Sequence, residues 1–230
     1  MTDKNNSANI VSGCHNNQAD NYDERIFKAV EDKQNFIREK YFEVHQEVLN
    51  FLNLNDGEML LDIGIGTGLL EEKIKCKVKI FGLDISEKML DKLKEKNLNN
   101  VQFIQGSFLN IPFGDRMFDS IVSCFAFHHL SDTEKIRSIF EMIRVLKDKG
   151  RIVIGDFMYL NEAAKISLIT KFRNEKRNDM TEEMDEENFT NIEDFKIILE
   201  ENGFDVKYKQ VSTISWVIKA ELTGSELLIS

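Results

Sequence analysis

The segment LLDIGIGTG at Leu60–Gly68 constrains this chain more than any other stretch. An apolar run ends in Asp62, and Gly64, Gly66 and Gly68 then alternate with small or apolar residues. Leu69 and Leu70 open a stretch of helical character. The order predicts a strand, a tight glycine turn and a helix start. Backbone without Cβ atoms can approach a ligand closely there. The amides of a helix N-terminus also point outward at such a turn.

The spacing separates two cofactor classes. A dinucleotide turn uses G-x-G-x-x-G, whose third glycine lets helix and strand pack. Here the run is G-x-G-x-G, and Leu69 stands where that pattern wants glycine. A second apolar run, Val78–Leu83, ends in Asp84. An acid about 20 residues past the first glycine suits a ribose diol. A carboxylate can accept from both hydroxyls. Asp84 could instead cap the following helix, but Ser86 is the better cap, which leaves Asp84 for a ligand. Gly64 and Gly66 would let the backbone meet the ligand, and Ile85 would cover one face of a base.

At these residues the chain resembles the class I S-adenosylmethionine-dependent methyltransferases. The likeness runs from about Leu54 to the C-terminus. It rests on LLDIGIGTG at Leu60–Gly68, GLDIS at Gly82–Ser86, FDSIVSCFAFHHL at Phe118–Leu130 and VLKDKGRIVIGD at Val145–Asp156. The tail at Glu201–Glu221 fits small bacterial members of unassigned substrate. The resemblance implies S-adenosylmethionine as cofactor. It implies that Asp62 orients the loop or meets the methionine ammonium. It implies an adenine contact at Ser107, where the family often has aspartate, with Phe108 at the adenine edge. Backbone carbonyls at Ser123-Cys124 would hold the ammonium.

Composition narrows the partners. Lys and Arg number 30 against 40 Asp and Glu, for a net charge of −10. That average field repels a polyanion, which argues against a nucleic-acid substrate. No run approaches the about 20 apolar residues of a membrane span. No signal-peptide core is evident, and three scattered cysteines suggest neither a zinc site nor a disulfide framework. The expectation is a cytoplasmic protein with reduced thiols and no metal.

Periodicity lays out the fold. Residues 1–19 read as a mobile polar tail and 20–230 as one domain. Asp20–Leu52 has helical spacing and yields two helices before the sheet. Strands are expected at Met59–Ile63, Val78–Leu83, Val101–Gln105, Phe118–Cys124, Arg151–Gly155, Phe204–Gln210 and Ser215–Glu221. Helices are expected at Glu87–Lys96, from the capping box Ser131–Glu134 to about Leu146, and from a second box, Thr190–Glu193, to about Glu201. This predicts an α/β, Rossmann-like, doubly wound and mostly parallel seven-stranded sheet with an antiparallel last strand. Phe157–Phe189 breaks the alternation and reads as an inserted lid segment, paired with the N-terminal helices.

Two adjacent histidines follow the fourth strand. Neutral imidazole can take a proton from an acceptor near neutral pH. His128 is the candidate catalytic residue, and His129 a loop support. The expected activity is methyl transfer to a small molecule. A non-catalytic adenosylmethionine-binding protein and, more remotely, a nicotinamide-dependent oxidoreductase are the alternatives.

Overall fold

A computed structural model describes residues 16, 19–32 and 35–223. Its sheet has the path β3-β2-β1-β4-β5-β8-β7, with β6 off the path against β5. The strands are β1 (Met59–Ile63), β2 (Lys79–Asp84), β3 (Val101–Gln105), β4 (Phe118–Cys124), β5 (Leu146–Tyr159), β6 (Thr190–Asn191), β7 (Phe204–Gln210) and β8 (Ser215–Leu222). Pairings from β3 to β5 are parallel, whereas β8 runs antiparallel to both β5 and β7. The strand order reverses between β1 and β4, and in such sheets ligands bind beyond the strand ends at that reversal.

Alternation along the strands supplies a core on each face. Leu60, Val122, Val153 and Val217 pack on one side, against Val44, Val48 and Leu52 of α2 (Tyr41–Leu52). Leu61, Ile63, Ile121, Ile152 and Ile154 point to the other. There they meet α4 (Asp132–Val145) through Ile139 and Met142, and α7 (Ile192–Glu201) through Phe195 and Leu199. Gly155 lets α2 approach closely, since a Cβ there would lie 2.5 Å from Val48 Cγ2.

Local sequence explains the helix starts. Ser86 caps α3 (Glu87–Glu95), accepting from the Met89 amide at 3.2 Å. Ser131 and Glu134 form the expected capping box of α4. The second box differs. Asn191 is the cap of α7 and accepts from Glu193 and Asp194. Thr190 sits one residue earlier in β6, where pairing with Met158 holds its backbone extended.

Two further expectations are corrected. Only a 3₁₀ turn, Glu71–Lys73, follows the glycine loop, not a full helix. Glu71 turns inward and is buried, and Ile74 is already extended, so the stretch has no continuous apolar face to support a helix. Strand β5 extends to Tyr159, so the insertion begins later than Phe157. It holds α5 (Glu162–Asn174) and α6 (Asn178–Glu186).

The tail assigned to residues 1–19 lies almost wholly outside the described residues. Its two described members are in contact with the domain: Ser86 Oγ donates to Asn16 Oδ1 at 2.7 Å, and Ala19 is buried. Helix α1 (Tyr22–Glu31) then crosses near the glycine loop. Thr67 Oγ1 donates to Asp23 Oδ1 at 2.5 Å, and Lys96 Nζ is 2.7 Å from Asp23 Oδ2.

Candidate active site

The tips of β1 and β2 and the turns after β1, β2, β3 and β4 enclose a predominantly apolar cleft. Gly64, Asp84, Ile85, Ser107, Phe108 and His129 are among its walls. Five of the nine sequence-predicted site residues therefore line it: Gly64, Asp84, Ile85, Ser107 and Phe108. Gly66, Asp62, Ser123 and His128 are not on its wall.

The loop geometry explains the glycines. Gly64 has φ +82, and a Cβ there would overlap Ala126 Cβ at 2.3 Å. Gly66 has φ +55 with nothing within 4 Å of the Cβ position, so its backbone faces open space. The loop is pinned from β2: Gly64 N donates to the Leu83 carbonyl at 2.7 Å, and Gly66 N to Asp84 Oδ2 at 2.8 Å.

Asp84 does more than wait for a ligand. Its Oδ1 accepts from the Ser86 amide at 2.8 Å, so the carboxylate braces the loops after both β1 and β2. Burial raises its pKa, against the opposing pull of the Ser86 and Gly66 amides. Carboxylate oxygens have further lone pairs for a diol. Ser107 Oγ accepts from the Leu109 amide at 3.3 Å, and Phe108 meets Phe127 edge-on at 5.9 Å.

Asp62 is buried at the end of β1 with Glu71 beside it. Burial, and then the Glu71 charge, push Asp62 well above the usual carboxylate range. Burial raises Glu71 as well. Asp62 and Glu71 share a hydrogen bond, whereas the buried Ser123 hydroxyl has no partner among the described residues. A buried polar group without a partner is costly, so a partner brought by a ligand would relieve it.

His128 is buried on the 3₁₀ turn Phe127–His129. Its Nδ1 lies 2.6 Å from Asp156 Oδ1. Asp156 also accepts from the amides of Phe127 (2.7 Å), His128 (3.1 Å) and Phe157 (2.7 Å). Burial alone would raise this carboxyl; the histidine and the Phe157 amide outweigh it and leave the pKa lowered. His129 is half-buried, and its Nδ1 lies 3.3 Å from Glu187 Oε2. Cys124 is pushed well up by burial, as befits an inert strand-end thiol.

Four contributors were not singled out by sequence reasoning. Asp156 closes an apolar strand run just as Asp62 and Asp84 do, and that repeated pattern was a usable signal. Glu71, Glu187 and Phe125 carried none. Phe125 has φ +53, a strained conformation for an aromatic residue, and Tyr41 stacks on it at 4.5 Å.

Comparison with known proteins identifies the family. Residues 60–150 match the methyltransferase domain family. An uncharacterised methyltransferase of Geobacillus sp. (strain WCH70) is 31% identical over 209 residues, 90% of this chain and 96% of the relative. The chain belongs to the class I S-adenosylmethionine-dependent methyltransferases. A second uncharacterised methyltransferase, from Oceanobacillus iheyensis, is 32% identical over 80% of this chain and 86% of the relative. In fold, this methyltransferase is similar to a putative S-adenosyl-L-methionine-dependent methyltransferase from Methanococcus maripaludis. That match has TM-score 0.63 and 23% identity and covers 93% of this chain and 95% of the other.

The residues fit the cofactor. The open space before Gly66, the unpartnered Ser123 hydroxyl and the apolar cleft beside Asp84 provide a cradle, a polar strand end and an apolar wall. Membership in this family sets the nicotinamide reading aside. Among the described residues, no helix is long and apolar enough to cross a membrane.

Proposed function

We propose that this methyltransferase acts on a small-molecule acceptor held under the N-terminal helices and the α5–α6 insertion. The observation that carries it is the meeting of the two segments. Phe36, between α1 and α2, packs edge-on against Phe172 of α5 at 6.2 Å, and Arg177 lies over the Phe36 ring at 4.6 Å. Phe172, Met180 and Met184 of the insertion are buried. Such a cover suits exclusion of water from an enclosed acceptor. The net charge of −10 supports an acceptor that is not nucleic acid. The free thiols Cys76 and Cys124 suit the reducing cytoplasm.

In this reading the bound cofactor supplies an activated methyl group. Asp84 takes the ribose, with Ile85 and Phe108 on the adenine and Ser107 at its edge. Gly64 and Gly66 admit the backbone to the ligand, while Asp62 and the strand end at Ser123 serve the amino-acid end. Asp156 holds His128 Nδ1 and leaves Nε2 as the ring nitrogen available to accept a proton. Alignment alone can contribute about 7–11 kcal/mol, so the base is an aid and not a requirement.

The test is a metabolite extract incubated with protein and methyl-labelled S-adenosylmethionine. Label in a small metabolite supports the reading. Label only in RNA or protein overturns it, and no transfer despite tight cofactor binding favours a non-catalytic binding protein.

A further inference from the structure

We propose that His128, His129 and Glu187 form a binding site for a first-row divalent cation, zinc foremost. One ring nitrogen from each histidine and a Glu187 carboxylate oxygen lie within 4.8 Å of one another. Glu187 Oε2 is 3.3 Å from His129 Nδ1 and 3.8 Å from His128 Nε2. Ligands about 2.0–2.2 Å from a tetrahedral zinc stand about 3.3–3.6 Å apart. Two sides of the triangle are thus close to those of a loaded site, and side-chain rotation can close the third.

The surroundings favour a cation independently of these distances. Asp156 Oδ1 sits 2.6 Å from His128 Nδ1, so Nδ1 is the nitrogen held by the carboxylate and Nε2 is the one directed toward Glu187. A carboxylate behind a histidine is the usual outer support of a metal-ligating imidazole. Asp156 is wholly buried and fixed by three backbone amides. Two carboxylates, Asp156 and Glu187, stand against one nearby ammonium, Lys135, which is bound to the Asn188 carbonyl. Two imidazoles and a carboxylate suit zinc, iron(II), cobalt(II) or manganese(II) better than a soft monovalent ion.

The ligands come from two places in the chain. The histidines lie on the turn after β4, and Glu187 follows α6 of the insertion. A bound cation ties the insertion to the sheet beside the cleft that His129 lines. It also occupies His128 Nε2, so proton acceptance by that nitrogen belongs to the metal-free protein. The metal site stands apart from the acceptor reading, and its test does not use methyl transfer.

Chelator-treated protein is titrated with cobalt(II), and the visible ligand-field bands are followed. One equivalent is expected to give the intense bands of a four-coordinate site, abolished by equimolar zinc. Glu187→Gln should weaken cobalt binding at least a hundredfold. Asp156→Asn should weaken it about 10–100-fold, as loss of an outer-shell partner does. Absence of the bands in the unaltered protein overturns the proposal, as does unchanged binding in Glu187→Gln. Should that variant misfold, hydrogen exchange of the unaltered protein decides. One equivalent of zinc should slow exchange around both His128–His129 and Glu187, and unchanged exchange overturns the site.

Discussion

Asp156 Oδ1 lies 2.6 Å from His128 Nδ1, although the two residues are 28 positions apart. Parallel pairing of β4 with β5, Cys124 against Gly155, brings them together. Because folding depresses the Asp156 pKa, its stabilisation is full above the unfolded value of about 3.9 and is lost as pH falls through the folded value. Asp156→Asn should therefore destabilise the protein by about 2–4 kcal/mol near pH 7, since three amides lose a charged acceptor. Denaturant titrations at several pH values check this. The gap to the unaltered protein should shrink as pH falls through that range, and a constant gap contradicts it.

The Asp62–Glu71 pair should act in the opposite direction. Burial raises both carboxyl groups, so the folded state holds protons that the unfolded state releases. Their contribution to stability falls as pH rises from about 4 through the folded values. Glu71→Gln should leave the melting temperature unchanged or higher near pH 8, with an advantage that fades toward pH 4. Calorimetric melts across that range give the answer, and a lower melting temperature at pH 8 counts against a proton-holding pair.

Gly64 and Gly66 should separate folding from binding. Gly64→Ala combines positive φ with overlap on Ala126 and should cost several kcal/mol of stability. Gly66→Ala meets no neighbour and should cost only about 1–2 kcal/mol, yet lose most S-adenosylhomocysteine affinity by filling the ligand's space. Thermal unfolding and calorimetric titration of both variants test this. Wild-type affinity in Gly66→Ala rules out a ligand at that backbone.

Asp84→Ala should weaken cofactor binding tenfold or more, because hydrogen bonds to a charged acceptor are worth about 1.5–3 kcal/mol. It should also loosen the loops, whose Gly66 and Ser86 amides lose their acceptor. Ser107→Ala removes one neutral contact worth about 1 kcal/mol and should cost less. The reverse order in titration calorimetry would show that the ribose lies elsewhere.

The cover should respond to ligand. S-adenosylhomocysteine is expected to slow hydrogen exchange in residues 20–52 and 160–189 together. Exchange unchanged in both segments contradicts a shared cover.

Much of this was legible in the sequence because strand periodicity and glycine spacing are local signals. Every strand of the main sheet path was anticipated, and Ser86 and Ser131 cap where expected. What the sequence hid was non-local. Nothing along the chain distinguishes Glu71, buried against Asp62, from a solvated glutamate at a helix start. The Thr190 box fails because pairing with β5 holds Thr190 in a strand and hands the cap to Asn191. Glu187 reaches the histidines only through the placement of the insertion. His129, read as a support, is on the cleft wall, while His128 is buried behind it, held to a carboxylate from the next strand.

Helix α1 is fastened to the glycine loop by Asp23, which binds Thr67 of that loop and Lys96 beyond α3. A ligand seated against the loop shares its boundary with this fastening. Loosening that fastening by Asp23→Asn is expected to speed the exchange of spent for fresh cofactor, so turnover would be timed from the N-terminal helix and not from the groups at the reacting atoms. Release of S-adenosylhomocysteine followed by stopped flow checks this, and an unchanged rate means that α1 stays put while the ligand leaves.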